Sequence, residues 1–301
     1  MHPTSAKRLI LALTIAAAPA YLLFCRVRAQ ADEVDLVVRA QLKSQGIPGV
    51  AVAILKDGKI VKLGGYGLAD MQSGEQVRAD TPFQIQSITK QFTATGIMML
   101  VEEGKTQLDQ PISKYLEGAP KAWEKITIAH LLGQTSGLKD FINDPTPVAH
   151  LAKTDEDVLR QASDRPLDFQ PGDAWAYSNT NYHLLAMIIQ SITGKWYGDF
   201  LDERIFKPLG MEQTAVMKPA DSVPRRALGY VRVNGKLQPG TVVGVPILGY
   251  GGGGIRSTVL DLAKWDEALY GEKLLKQSSL AQMWTPVKLN NGTSHNYGFG
   301  W

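Results

Sequence analysis

Cysteine is nearly absent: Cys25 is the only one in 301 residues. One thiol supports neither a disulfide framework nor a thiolate metal cluster. Histidine is sparse as well. His130, His150, His183 and His295 stand far apart with no H-E-x-x-H spacing, so no metal and no cofactor are expected. The chain has no G-x-S-x-G, which argues against the nucleophile turn of an α/β-hydrolase lipase. It also lacks a real excess of either charge. Four of the 32 basic residues (Lys7, Arg8, Arg26, Arg28) and none of the 29 acidic ones fall within the first 31 positions. The remainder carries 28 and 29, a net −1, and nothing in that balance suggests nucleic acid.

Long apolar runs are confined to the same N-terminal stretch. Lys7 and Arg8 precede the mostly apolar Ile10–Phe24, which is long for a signal-peptide core and short for a membrane span. Ala29-Gln30-Ala31 places small residues where a signal peptidase reads, so residues 1–31 are expected to be a signal peptide cleaved before Asp32. That implies export, to a periplasm or beyond the cell. An uncleaved anchor, helped by Arg26 and Arg28, is the alternative and the only route to a membrane. Lipid attachment at Cys25 fits poorly with the bulky Phe24 before it.

Residues 32–301 suffice for one large domain or two interleaved parts. Asp32–Lys43 reads as an amphipathic helix with Val34, Val37, Val38 and Leu42 on one side. Val50–Leu55 and Ile60–Tyr66 read as a hairpin around Lys56-Asp-Gly-Lys59. Further helices are predicted over Ser87–Glu103, Ile126–Leu132, Thr180–Ile192 and Thr258–Leu269, with Gly104 and Gly194 as stops. The expected layout is α/β: residues 32–82 and about 245–301 associated with an antiparallel sheet, and 83–244 mainly helical. No internal repeat or low-complexity linker is present. Asn290-Asn-Gly292 reads as a turn, and Tyr297-Gly-Phe-Gly-Trp301 as the beginning of a strand.

The most informative feature is Ser87-Ile-Thr-Lys90, where an extended stretch turns into an apolar helix. A serine at a helix start and a lysine one turn on share a face, one way to activate a hydroxyl without histidine. The bland alternative is a helix-capping serine with an incidental lysine. A second match, Ser136-Gly-Leu-Lys139, contains Gly137 and is expected to be a surface turn. Tyr177-Ser-Asn179 adds a phenol that can transfer protons if a cation lowers its pKa and an amide that can bond a lysine or a substrate carbonyl. The alternative is that Asn179 or Ser178 merely caps the helix from Thr180, which leaves the tyrosine unexplained.

With these two motifs the chain resembles the serine β-lactamase and penicillin-binding-protein superfamily, in its class C-like branch. Ile126-Thr-Ile-Ala-His-Leu-Leu-Gly-Gln-Thr-Ser-Gly-Leu138, Pro208-Leu-Gly-Met211 and Gly251-Gly-Gly-Gly-Ile-Arg-Ser-Thr258 resemble further blocks of that family, in order, over about Val34–Trp301. The resemblance implies a β-lactamase/transpeptidase-like fold. It implies Ser87 as acylated nucleophile with its backbone N–H in the oxyanion hole, Lys90 as proton relay and Tyr177 as general base and leaving-group acid. Asn179 would position Lys90 and a substrate amide. The family's third motif, Lys-Thr-Gly or His-x-Gly on a late strand, is not found. Trp196-Tyr-Gly198 resembles it superficially but follows the Tyr-x-Asn helix, where no site strand is expected. The expectation is a C-terminally truncated chain lacking the last strands and terminal helix, poorly stable and nearly inactive alone.

Gly249-Tyr-Gly-Gly-Gly-Gly254 fits G-x-G-x-x-G, but the following helix supplies no second strand ending in an acid, so a dinucleotide site is not expected. His130, beside Leu131 and Leu132, reads as a packed helix residue. The expected function is an exported serine hydrolase acting through an acyl-enzyme on an amide, β-lactam, D-amino-acid peptide or ester. Its partner would be a small-molecule or peptidoglycan-like substrate. An esterase with little β-lactam turnover is a variant of that reading, and a non-catalytic β-lactamase-like binding protein is the alternative.

Overall fold

A computed structural model describes residues 32–141, 154–218, 223–240 and 250–301; His150 and Gly249 lie outside them. Helix α1 (Glu33–Gln45) starts on a reciprocal cap in which Asp32 and Asp35 side chains each accept the other's backbone N–H, and stops at left-handed Gly46. Strands β1 (Gly49–Lys56) and β2 (Lys59–Gly67) pair antiparallel from Gly49 opposite Gly67 to Lys56 opposite Lys59. Asp57 and Gly58 take the positive φ the turn demands. These elements match the sequence expectation to within two residues.

Strand β3 (Phe83–Gln84) leads through a tight turn at Gln86–Ile88 into α2 (Thr89–Glu102). Every residue from Phe92 to Leu100 is buried, the mark of a helix packed on all sides. Short α3 (Ile128–Leu132) is capped by Thr127, whose backbone N–H donates to His130 Nδ1; His130, expected as a packed helix residue, is half-buried and also closes this cap. Helix α4 (Asp155–Ser163) is followed by α5 (Asn179–Thr193), which Gly194 ends. Helices α6 (Tyr197–Leu201) and α7 (Lys207–Leu209) flank a wider π-type turn. Trp196-Tyr-Gly198 therefore opens a helix and contributes no strand.

Strand β4 (Ala215–Val216) precedes a hairpin of β5 (Tyr230–Val233) and β6 (Lys236–Pro239). One helical turn, α8 (Tyr250–Gly253), runs into β7 (Ile255–Ser257). Helices α9 (Val259–Ala268) and α10 (Gln277–Trp284) and a small hairpin of β8 (Val287–Lys288) and β9 (Ser294–His295) complete the described chain. Among the described residues every strand pairing is antiparallel, and β7 lies between β3 and β4.

The core is built on α2 and α5. Phe92 packs at 4.2 Å against Trp265 of α9, the rings tilted by 35°, and edge-on at 5.7 Å to Phe206. A Cβ at Gly96 would come within 3.2 Å of both Phe200 and Ile189, so this glycine lets α5 and α6 approach α2. The Tyr297–Trp301 segment is not a strand. Phe299 N–H donates to Met283 O at the end of α10, Gly298 N–H donates to Trp301 O, and Gly300 takes φ 82° against the Lys90 backbone. The two glycines serve close approach and a bend, and these donors are spent on local contacts instead of a ladder.

Candidate active site

The turn bearing Ser87 is pinned from β7. Ile85 N–H donates to Ile255 O (2.9 Å), and Ile255 N–H donates back to Thr89 Oγ1 (3.1 Å). Gln86 between them has φ 49°, a left-handed conformation that side chains other than glycine rarely adopt. Ser87 is exposed and caps nothing: neither this turn nor α2 has a side-chain cap. Its Oγ instead accepts from Tyr177 Oη (2.7 Å) and Lys90 Nζ (3.3 Å).

Lys90 is 1% exposed. Its ammonium has three hydrogens and meets three acceptors: Gly252 O at 2.7 Å, Asn179 Oδ1 at 2.9 Å and Ser87 Oγ at 3.3 Å. The longest bond is the one to the serine. Burial pushes the Lys90 pKa down from 10.5 to about 8, with the Asp140 carboxylate partly opposing. A neutral Lys90 keeps two N–H bonds, to Gly252 and Asn179, and turns its lone pair to Ser87.

Tyr177 is held by its neighbours. Ala176 N–H donates to Gln134 O (3.0 Å), and Ser178 N–H donates to Gln134 Oε1 (3.0 Å). Ser178 makes no side-chain cap for α5. The Tyr177 ring lies 4.7 Å from Lys90 Nζ and edge-on to Tyr297. Burial raises the phenol above its usual range; the bond to Ser87 opposes this and the Asp140 charge adds to it.

Asn179, the first residue of α5, receives Lys90 on its carbonyl oxygen. On the opposite side its Nδ2 donates to Asp140. The structure thus assembles Ser87, Lys90, Tyr177 and Asn179 around one hydroxyl. It adds two groups the motifs did not indicate, the Gly252 carbonyl and Asp140. Gly252 lies in the glycine run, and Asp140 directly follows Ser136-Gly-Leu-Lys139, so both sit beside conspicuous sequence without being marked by it. A Cβ at Gly251 would sit 2.2 Å from Tyr182 O, so close packing against α5 explains Gly251.

The second S-x-x-K match is corrected here. Ser136 is buried, its Oγ donating to Asn181 Oδ1 (2.6 Å), and the turn is internal. Gln134 Oε1 accepts from both Ser178 N–H and Asn181 Nδ2, so the segment serves as a bracket for Tyr177. His183 bonds Asp155 and His295 stacks on Trp175, and the bonds to Ser87 Oγ come from Tyr177 and Lys90.

A family model described as Beta-lactamase matches residues 34–301. The chain belongs to the beta-lactamase family. This beta-lactamase-family chain is 32% identical over 265 residues to "Penicillin-binding protein 4*" of Bacillus subtilis (strain 168), covering 83% of this chain and 58% of that protein. It is 34% identical over 259 residues to "Putative penicillin-binding protein PbpX" of the same organism, covering 86% of this chain and 63% of that protein. The chain therefore spans about 60% of the length of these two curated relatives. Among solved structures, the D-amino acid amidase from Ochrobactrum anthropi SV3, complexed with D-phenylalanine, superposes with a TM-score of 0.74 at 29% identity, covering 89% of this chain and 81% of that one. The fold is the β-lactamase/transpeptidase-like arrangement expected from the motifs.

Proposed function

We propose that this chain belongs to an exported serine hydrolase that forms an acyl-enzyme on Ser87, with amides, β-lactams, D-amino-acid peptides or esters as its substrate class. The observation that carries the reading is the three-acceptor cage of buried Lys90, whose weakest bond points at a serine oxygen that also meets Tyr177. Printed names of relatives and neighbours, penicillin-binding proteins and a D-amino acid amidase, support this substrate class.

The resemblance assigned Tyr177 the role of base. The electrostatics favour a different order: a phenol raised above its usual range is a poor acceptor of the serine proton, and an amine lowered to about 8 is a good one. In the proposed sequence, Ser87 Oγ bonds the substrate carbonyl carbon as its proton passes to neutral Lys90. The Ser87 N–H receives part of the developing oxyanion charge. As the carbon–leaving-group bond breaks, Tyr177 Oη gives its proton to the departing nitrogen or oxygen, and Lys90 returns one to the phenol. Water then attacks the ester carbonyl, losing its proton to Lys90, and Ser87 regains a proton as the acid departs.

The test is intact-mass and peptide mapping after exposure to a fluorophosphonate or a penicillin. An adduct confined to Ser87 and absent in Ser87→Ala is expected. No adduct with either probe, or one elsewhere on the chain, overturns the reading and leaves a binding protein.

A further inference from the structure

Asp140 lies outside both motifs, yet its carboxylate receives two N–H groups of Asn179. The backbone N–H donates to Oδ1 (3.2 Å), and Nδ2 donates to Oδ2 (3.2 Å) with a longer contact to Oδ1 (3.4 Å). Asp140 is itself clamped. Thr180 Oγ1 donates to Lys139 O (2.6 Å) and accepts from Phe141 N–H (3.1 Å), so the residues on either side of Asp140 are tied to the first turn of α5.

The two ends of an asparagine amide are alike in shape and opposite in hydrogen-bonding sense. What faces each end decides which way it points. Ammonium Lys90 can only donate, so it demands the Asn179 oxygen. Neutral Lys90 can also accept, and then it tolerates a flipped amide. A flip would aim Nδ2 at the lysine lone pair that Ser87 needs. A carboxylate only accepts, so Asp140 opposes that flip whatever the state of Lys90.

We propose that Asp140 is a positioning residue: it locks the Asn179 amide with Oδ1 on Lys90 and one Nδ2–H on its own carboxylate, keeping the Lys90 lone pair for Ser87 and the other Nδ2–H for a substrate carbonyl. This inference rests on the acyl-enzyme reading above for its kinetic consequence, though not for the geometry. Its charge has a second effect. Lys90 faces the Tyr177 ring at 4.7 Å, the Tyr182 ring at 5.4 Å, the Ser87 hydroxyl and the Gly252 carbonyl, and the negative charge felt there is that of Asp140. That charge holds the lysine pKa above where burial alone would leave it.

Two substitutions separate these effects. Asp140→Leu removes acceptor and charge; Asp140→Asn keeps an acceptor and removes the charge. Asp140→Leu is expected to slow fluorophosphonate acylation of Ser87 roughly ten- to a hundredfold. Asp140→Asn is expected to recover most of that loss, with the rise of its acylation rate displaced to lower pH. The Asn179 side-chain signals in a ¹H–¹⁵N spectrum, assigned by Asn179→Asp, give a readout independent of chemistry. They should stay sharp and protected in wild type and Asp140→Asn and broaden in Asp140→Leu. Wild-type acylation rates in Asp140→Leu with unchanged Asn179 signals would overturn the inference. So would an Asp140→Asn variant as slow as Asp140→Leu with no displacement along the pH axis, which marks a packing role only. A wild-type protein that takes no probe overturns the acyl-enzyme reading instead, and the Asn179 spectra still decide the role of Asp140.

Discussion

The α2–α5 core and the β1–β2 hairpin obey different physics. Around α2, every side chain from Phe92 to Leu100 is buried, and Lys90 is enclosed with them. In the hairpin, Tyr66 alone is buried, α1 beside it buries nothing, and Ile60, Val61 and Leu63 are exposed, Val61 to 60%. The hairpin is held by its ladder and by a partly exposed ion cluster in which Lys62 Nζ lies 2.6 Å from Asp32 and 2.7 Å from Asp35. Ion pairs that water still reaches add little stability. The difference shows in Lys90, which sits among the buried side chains of α2, where water is excluded well enough for burial to push its ammonium below the ordinary lysine range.

Mutations can sharpen or break that contrast. The largest effect is expected from Phe92→Ala, which removes a ring packed between Trp265 and Phe206. Urea unfolding should show a loss of about 3–5 kcal/mol. A loss below about 1 kcal/mol would mean that the core is not close-packed there. Gly251→Ala comes next. Its Cβ meets a backbone oxygen, so the α8 turn must shift, at about 1–3 kcal/mol. Since that turn carries Gly252 O, acylation should fall with stability; stability loss at an unchanged acylation rate would separate the turn from the site. The smallest effect belongs to Val61→Ala in the hairpin, expected within about 0.5 kcal/mol of wild type by the same unfolding measurement. A cost like that of Phe92→Ala would erase the contrast.

The same division governs what was legible in the sequence. The helices α2, α5 and α9 and the first hairpin were legible because glycine stops, caps and apolar runs mark them locally. Strands β3, β4 and β7 were not, since two or three residues carry no periodicity and pair only through contacts made far along the chain. Helix α4 opens on the Thr154-x-x-Asp157 capping box and an acidic first turn, local signals without an apolar run behind them. At the site, Ser87, Lys90, Tyr177 and Asn179 were readable as side-chain patterns. The Gly252 carbonyl was hidden because a backbone oxygen has no letter of its own. Asp140 was hidden because its partner stands 39 positions away. Ser136 was expected in a surface turn because Gly137 marks a turn locally, while its burial depends on a contact with Asn181, 45 positions away.

The proposed chemistry turns on Lys90 taking the serine proton, and the pH dependence of Ser87 acylation tests this most directly. With the lysine pKa lowered to about 8, its neutral fraction grows as pH rises through that value. The second-order rate constant for fluorophosphonate labelling of Ser87 should therefore climb through about pH 8 and level off above it. A rate that is flat across pH 6–10, or one that rises only at about pH 10 and above, where ordinary lysines and tyrosines titrate, would contradict it.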